Sequence, residues 1–468
     1  MNVLFVAAEA TPLVKTGGLA DVAGALPPAL RDLGHDVRVV MPRYRRIRES
    51  GIAMEGPIAA SFLQIGDRQE ELRVWLTISN GVPTYLLDVP SAFERDAIYG
   101  EWDDSRRFIL FTRGVLALMQ HLREVDNYQT EILHANDWHA GLLANYIRTN
   151  YSYTFGHIAS VYTIHNLAYQ GWFGEDALQL AGLANGENYI NFMARGIIFS
   201  DIVSTVSPTY AEEIVTPEYG ERLDSVLRAR QTDLVGILNG IDWDEQNPAT
   251  DKHIAANYSV DAMAGKALCK QALQQEFNFA VDPARPLIGL VTRLTEQKGL
   301  DLLDAAMPWL IGQTDAQIVI LGAPHPHWGW VFGNHARAFP ERVALWMSYN
   351  MALAQRIYAG ADMFLMPSRF EPGGLGQLMA MRYGTVPVVR ATGGLNDTVI
   401  EGFAGNGFRF HPYETSHLCD AIKRAIDAFK DEPSWAILRE RGMREDHSWA
   451  QSAQEYVALY ARALAHRA

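Results

Sequence analysis

Leu287-Ile288-Gly289-Leu290-Val291-Thr292-Arg293-Leu294-Thr295-Glu296-Gln297-Lys298-Gly299-Leu300 decides how this chain folds. Leu287–Thr292 is a short apolar run without polar alternation, the way a strand buried on both faces of a parallel sheet reads. A cationic loop follows it, and a helix is expected over Leu300–Leu310. The pattern continues through Gln317–Leu321, Val343–Trp346, Met363–Met366 and Val386–Val389. Upstream, an independent series runs through Val3–Ala8, Val37–Met41, Glu131–His134, His157–Thr163 and Ile202–Val206. Helical periodicity lies between these runs, as in Asp104–Leu122, where Phe108, Phe111, Val115 and Leu118 recur on one face. Two such series predict an α/β protein of two doubly wound domains facing a cleft. The polar stretch Asp242–His253, with Pro248, reads as the hinge. The expected domains are 1–245, 246–448, and a C-terminal segment 449–468. In that segment Tyr456, Leu459, Tyr460 and Leu464 share a helix face that packs back on the N-terminal domain. Ligands of doubly wound sheets gather at the carboxyl ends of the strands, so function is sought in the loops that follow them.

Composition narrows the classes. The 468 residues carry 40 Lys and Arg against 54 Asp and Glu, a net charge of −14, which disfavours a nucleic-acid partner. Only Cys269 and Cys419 are present, too few for a disulfide scaffold or a Cys-rich zinc site. No apolar run approaches the length of a membrane span. The N-terminal Met1–Val6 lacks a basic leader and meets Glu9 early, so a cytoplasmic location is expected.

Three loops concentrate the chemistry. Lys15-Thr16-Gly17-Gly18 follows the first strand, and its paired glycines leave backbone N–H groups approachable at a helix start near Leu19, with Lys15 adding a charge. The same residues also make an ordinary glycine turn with a solvated lysine. Arg293 and Lys298 flank the loop after Leu287–Thr292 and offer phosphate a planar fork and a mobile ammonium. In Pro367-Ser368-Arg369-Phe370-Glu371-Pro372-Gly373-Gly374-Leu375-Gly376, Glu371 suits sugar hydroxyls and the Gly374–Gly376 amides suit phosphate. The alternative there is a tight strand-to-helix turn. Asp137-Trp138-His139 and His165-Asn166 supply groups that hold hydroxyls, with His139 read as supporting or helix-capping. Asp242-Trp243-Asp244 reads as a turn. His325-Pro326-His327 is the only His-x-His, and no metal or other cofactor is expected.

The blocks Lys15–Val22, Asp137–Leu142, Tyr162–Gly171, Thr205–Ile214, Gly236–Asp242, Pro367–Pro372 and Thr392–Val399 closely resemble, in this order, the bacterial glycogen synthases and plant starch synthases. Those enzymes are retaining glucosyltransferases built from two Rossmann-like domains, the GT-B fold. The resemblance implies transfer of glucose from ADP-glucose to the non-reducing 4-OH of an α-1,4-glucan such as glycogen or a malto-oligosaccharide. It implies that Lys15, Arg293 and Lys298 hold the diphosphate, and that His165, Asp137 and Glu371 hold the donor glucose. Gly17, Gly18, Asp21, Asn166, Asn239, Gly374, Leu375 and Gly376 would line the nucleotide-sugar site, Tyr349 would stack on the base, and Tyr99 would touch the acceptor. The enzyme class would be hexosyltransferase.

The chain also departs from the pattern. Gly373 and Gly376 stand where relatives carry Cys or Ser and Thr or Asn, so a polar group facing phosphate is missing. Met379 occupies the place of a second Glu found in broader GT-B enzymes, Leu321–His325 lacks the usual Gly-x-Gly-Asp loop, and Gln246 and Asn350-Met351 replace other residues. The rival expectations are a glucosyltransferase of the same fold that uses UDP-glucose, and a glucan-binding homologue with weakened catalysis.

Overall fold

The computed structural model describes residues 1–183, 186–348, 350–402 and 404–467. The chain divides into two compact units, Met1–Gly240 with Trp449–Ala468, and Ile241–Ser448. Both are doubly wound.

The first unit is built on a nine-stranded sheet in the spatial order Leu234–Gly236, Ile202–Thr205, Ala159–Ile164, Ile132–Asn136, Asn2–Val6, Asp36–Pro42, Val82–Asp88, Arg68–Ser79 and Glu55–Ile65. Every pairing from the first of these to Val82–Asp88 is parallel. The last two strands join antiparallel. That meander alternates, with Leu72 and Val74 buried between more exposed neighbours, and lacks the continuous apolar runs of the parallel strands. Chain order runs outward from Ile132–Asn136 to Leu234–Gly236 on one side and from Asn2–Val6 to Asp36–Pro42 on the other, so the topological switch point lies between Asn2–Val6 and Ile132–Asn136.

The helix Trp449–Ala465 belongs to this unit and is fastened by polar groups as well as by its apolar face. Buried His134 has Nδ1 2.7 Å from the Tyr460 hydroxyl and Nε2 2.6 Å from Thr163 Oγ1, which in turn lies 2.6 Å from Ser204 Oγ. Burial lowers His134 to about 3, so the ring is neutral.

The second unit holds a parallel sheet in the order Val343–Met347, Gln317–Ala323, Leu287–Arg293, Met363–Met366, Val386–Arg390 and Phe408–Phe410. Its switch point lies between Leu287–Arg293 and Met363–Met366. The chain passes between units at Gly240–Ile241 and again at Ser448–Trp449. Residues 242–253, expected as the hinge, therefore lie inside the second unit, where they are held by their own bonds. Asp242 Oδ1 accepts from the Asp244 and Glu245 amides at 3.0 and 2.9 Å, and Asp251 Oδ2 accepts from the Tyr383 hydroxyl at 2.6 Å. The segment begins just past the crossing, and the buried Tyr383 hydroxyl from elsewhere in the unit holds its Asp251 end.

Candidate active site

In each unit, several of the residues singled out from the sequence lie at the switch point of the sheet. In the first unit the loops after Asn2–Val6 and Ile132–Asn136 supply Lys15–Asp21 and Asp137. In the second, the loops after Leu287–Arg293 and Met363–Met366 supply Arg293, Lys298 and Glu371.

The Lys15–Gly18 loop is not open in the way the sequence suggests. Glu9, buried just past the first strand, turns its carboxylate onto the loop and accepts from the amides of Thr16 and Gly17, the latter at 3.2 Å. The Tyr99 hydroxyl lies 3.5 Å from Glu9 Oε1, and the Tyr99 ring packs on His139 with centroids 4.9 Å apart. Burial pushes the Glu9 carboxyl up to about 7, and the two backbone N–H groups pull the other way. Lys15 Nζ pairs with Asp21 Oδ1 at 2.6 Å. Of the paired glycines, Gly17 thus turns its amide onto a carboxylate of the protein, beside that of Thr16, and Glu9 is an acid of this loop that the motif reading omits. Its signal in the sequence is an acid set in the apolar run Val6-Ala7-Ala8-Glu9-Ala10.

Glu9→Gln keeps the shape but turns an amide N–H₂ toward backbone donors, and one loop bond goes. Loss of about 1–3 kcal/mol of loop positioning corresponds to roughly fivefold to somewhat over a hundredfold in kcat/KM for the donor. The melting temperature should fall by only a few degrees, and a variant with wild-type kcat/KM would show that the loop sets itself without Glu9.

Asp137 opens a short helix with a positive φ of 52°, a conformation uncommon outside glycine and frequent at functional sites. Its Oδ1 accepts from the His165 amide at 2.8 Å, and the Asn166 amide also bonds it. Burial raises this carboxyl to about 7 against those bonds. His165 Nε2 lies 2.9 Å from Asn136 Oδ1, while Asn136 Nδ2 donates to the Val6 carbonyl at 3.0 Å. The amide orientation fixed by Val6 makes Nε2 the donor, and burial lowers His165 to about 3, so the ring is neutral with its Nδ1 lone pair left as an acceptor. Asn166 Oδ1 is spent on the Ala168 amide at 3.1 Å. Asn239 Oδ1 is buried with no hydrogen-bond partner among the described residues. His139 caps nothing: both ring nitrogens are buried without a partner among the described residues, and the ring is packed by Trp138, Phe108 and Tyr99.

In the second unit, adjacency of the parallel strands brings Lys298 to Glu371. Lys298 Nζ lies 2.6 Å from Glu371 Oε2, which also accepts from Ser368 Oγ at 3.0 Å. The two loops are stitched by main chain, Arg369 N donating to the Gln297 carbonyl at 2.8 Å. Gly299, at φ +68°, makes this approach possible, since a Cβ there would stand 1.9 Å from the Pro367 carbonyl oxygen. Behind the turn, Gly394 N donates to the carbonyls of Glu371 and Pro372 at 3.1 and 3.0 Å. Arg293 is exposed at its strand end. Gln377 donates to the Gly373 and Gly374 carbonyls at 3.3 and 3.0 Å, and Leu375 caps the helix Gly376–Arg382. A Cβ on Gly376 would stand 3.0 Å from Phe364 Cε1, so the polar side chain missing here has its space taken by Phe364. Tyr349 lies outside the described residues.

His325, of the His-x-His pair, accepts from the Trp328 amide at 3.4 Å as a helix cap, and His327 packs on Trp328. No helix among the described residues is long and apolar enough to cross a membrane.

Comparison with known proteins follows the same division. A family described as starch synthase catalytic domain matches residues 2–229, and one described as glycosyl transferases group 1 matches residues 285–428. A glycogen synthase of Moorella thermoacetica is 43% identical over 100% of this chain and 98% of its own. One from Anaeromyxobacter dehalogenans is 46% identical over 98% of this chain and 99% of its own. Among solved structures, the catalytic domain of starch synthase IV from Arabidopsis thaliana, bound to ADP and acarbose, superposes with a TM-score of 0.91 at 34% identity, covering 99% of each chain. A sucrose-phosphate synthase from Thermosynechococcus elongatus, at 17% identity and a TM-score of 0.60, shares the fold.

Proposed function

Because this chain belongs to the glycogen synthase and starch synthase family of glycosyltransferases, we propose that it lengthens an α-1,4-glucan with glucose from ADP-glucose, retaining the anomeric configuration. Its two Rossmann-like units are those of the GT-B fold. The observation that carries the proposal is the pairing of Lys298 with Glu371 at one switch point, with Arg293 on the same loop.

Arg293 and Lys298 hold the diphosphate, a role that the family resemblance gives to Lys15 as well. As the bond from C1 to the diphosphate breaks, negative charge grows on the leaving oxygen, and charge-assisted bonds that strengthen with that charge lower the barrier. Glu371 accepts from donor-sugar hydroxyls. Neutral His165 offers Nδ1 to another hydroxyl, and its position depends on Asn136 and Asp137. Asn239 Oδ1 and the Lys15–Gly18 loop contact the nucleotide sugar, Tyr99 serves the acceptor, and Tyr349 the base. A cytoplasmic location belongs to the same proposal.

The donor is tested by nucleoside-diphosphate release with glycogen, ADP-glucose and UDP-glucose being supplied separately. Faster ADP release is the expected result. Preference for UDP-glucose would keep the transfer and replace the donor.

A further inference from the structure

Away from these loops, a short hairpin leaves two aromatic rings in solvent, and its register explains why. Trp172 pairs with Asn191, Phe173 with Ile190 and Gly174 with Tyr189. Side chains alternate along a strand, so Phe173 and Ile190 share one face and Trp172, Gly174, Tyr189 and Asn191 the other. The inner face packs onto the core. Ile190 is fully covered, and the Phe173 ring lies 4.8 Å from that of Phe192 and 5.8 Å from that of Trp138. On the outer face Trp172 is 49% and Tyr189 56% exposed, their ring centroids 5.1 Å apart and their planes at 38°. Gly174, opposite Tyr189, adds no side chain between them.

The outer rings are held. Trp172 Nε1 donates to Gln170 Oε1 at 2.7 Å, and Asn191 Nδ2 donates to the same oxygen at 2.7 Å. Gln170 is itself buried, its Nε2 donating to the carbonyls of Leu167 and Glu221 at 3.0 and 2.8 Å. With its only N–H turned inward, the indole offers solvent apolar ring surface and no hydrogen-bond donor. A fixed, exposed aromatic pair gives up burial that folding would otherwise gain, which marks it as a recognition surface. Rigid rings are also the cheapest anchors in conformational entropy.

The ligand that suits such a pair has a C–H face to lie on a ring and hydroxyls at its edge, which is a pyranose. Two rings tilted by 38° follow successive residues of a curved chain, as an α-1,4-glucan is, better than a flat ribbon. The Glu187–Arg195 ion pair, two residues before Tyr189, supplies polar groups for those hydroxyls. The hairpin is continuous with the catalytic side of the first unit, since Phe173 rests on Trp138, next in the chain to Asp137, and Gln170 follows closely on His165 and Asn166.

We propose that Trp172 and Tyr189 form a second α-1,4-glucan-binding site, a platform that grips the polymer away from its reacting end. The proposal rests on a glucan being the acceptor. The platform touches no reacting atom. It keeps chain ends at high local concentration, so its loss weakens use of a polymer through binding.

Trp172→Ala and Tyr189→Ala test it by affinity electrophoresis in glycogen-containing gels, alongside steady-state rates. Each variant should raise the apparent dissociation constant and the KM for glycogen by about tenfold, with the KM for ADP-glucose unchanged. Tyr189→Ala breaks none of the Gln170 bonds, so it remains informative if Trp172→Ala folds poorly. Wild-type glycogen affinity in folded Tyr189→Ala and Trp172→Ala overturns the platform. Should the wild-type protein bind glycogen yet transfer no glucose, the acceptor reading falls instead, and a binding loss in the variants would still uphold the platform.

Discussion

Arg293→Ala is expected to lower turnover by about two to three orders of magnitude while leaving the melting temperature close to that of the wild type. The side chain is exposed at the end of its strand, and the local main-chain bond, Thr295 N to the Arg293 carbonyl at 2.8 Å, needs no guanidinium. Stability therefore has little to lose, whereas a leaving diphosphate loses a bidentate donor aimed at the charge it gains. Lys298→Ala provides the contrast. Its ammonium is the partly buried partner of buried Glu371 at 2.6 Å, so removing it strands a carboxylate and should cost up to about 3 kcal/mol of stability in addition to turnover. Steady-state kinetics and thermal unfolding on both variants separate the two effects. Near-normal turnover in Arg293→Ala would remove the diphosphate role from this loop.

Glu371→Gln should lower turnover by about a hundredfold or more, equivalent to roughly 2.7 kcal/mol of lost transition-state stabilisation. The substitution is nearly isosteric. The amide oxygen can still face Lys298 and Ser368, and the turn remains tied through Gly394 N to the Glu371 carbonyl at 3.1 Å. What goes is the charge that orients Lys298 and accepts strongly from sugar hydroxyls. If Glu371 served only as a strand-to-helix turn residue, the main-chain bonds would suffice, and the variant would keep its full rate.

The sequence makes most of the parallel strands legible because burial on both faces leaves continuous apolar runs, as in Leu287–Thr292 and Ile202–Val206, whereas Val82–Asp88, Leu234–Gly236 and Phe408–Phe410 lie outside the runs it marks. The antiparallel meander Glu55–Ser79 hides for the opposite reason: one face is wet, and residues such as Phe62 and Ile78 stand exposed on it. Strand adjacency follows from topology, so Arg293, Lys298 and Glu371 could be grouped from their places after two strands. Glu9 could not be grouped that way, because its role depends on a carboxylate folding back onto amides seven and eight residues later. For the same reason the Lys15–Gly18 loop reads from sequence as an open anion cradle, although Thr16 and Gly17 already have an acceptor. The supposed hinge at 242–253 shows the limit of polarity as a signal, since Asp251 is polar and yet buried against Tyr383.

The most direct test supplies radiolabelled ADP-glucose and glycogen to the wild-type protein, then digests the polymer with β-amylase, which cuts maltose from non-reducing ends through α-1,4 bonds. One ADP should be released for each glucose incorporated, and the new label freed as maltose. Glycogen that stays unlabelled, or label that resists β-amylase, would contradict it.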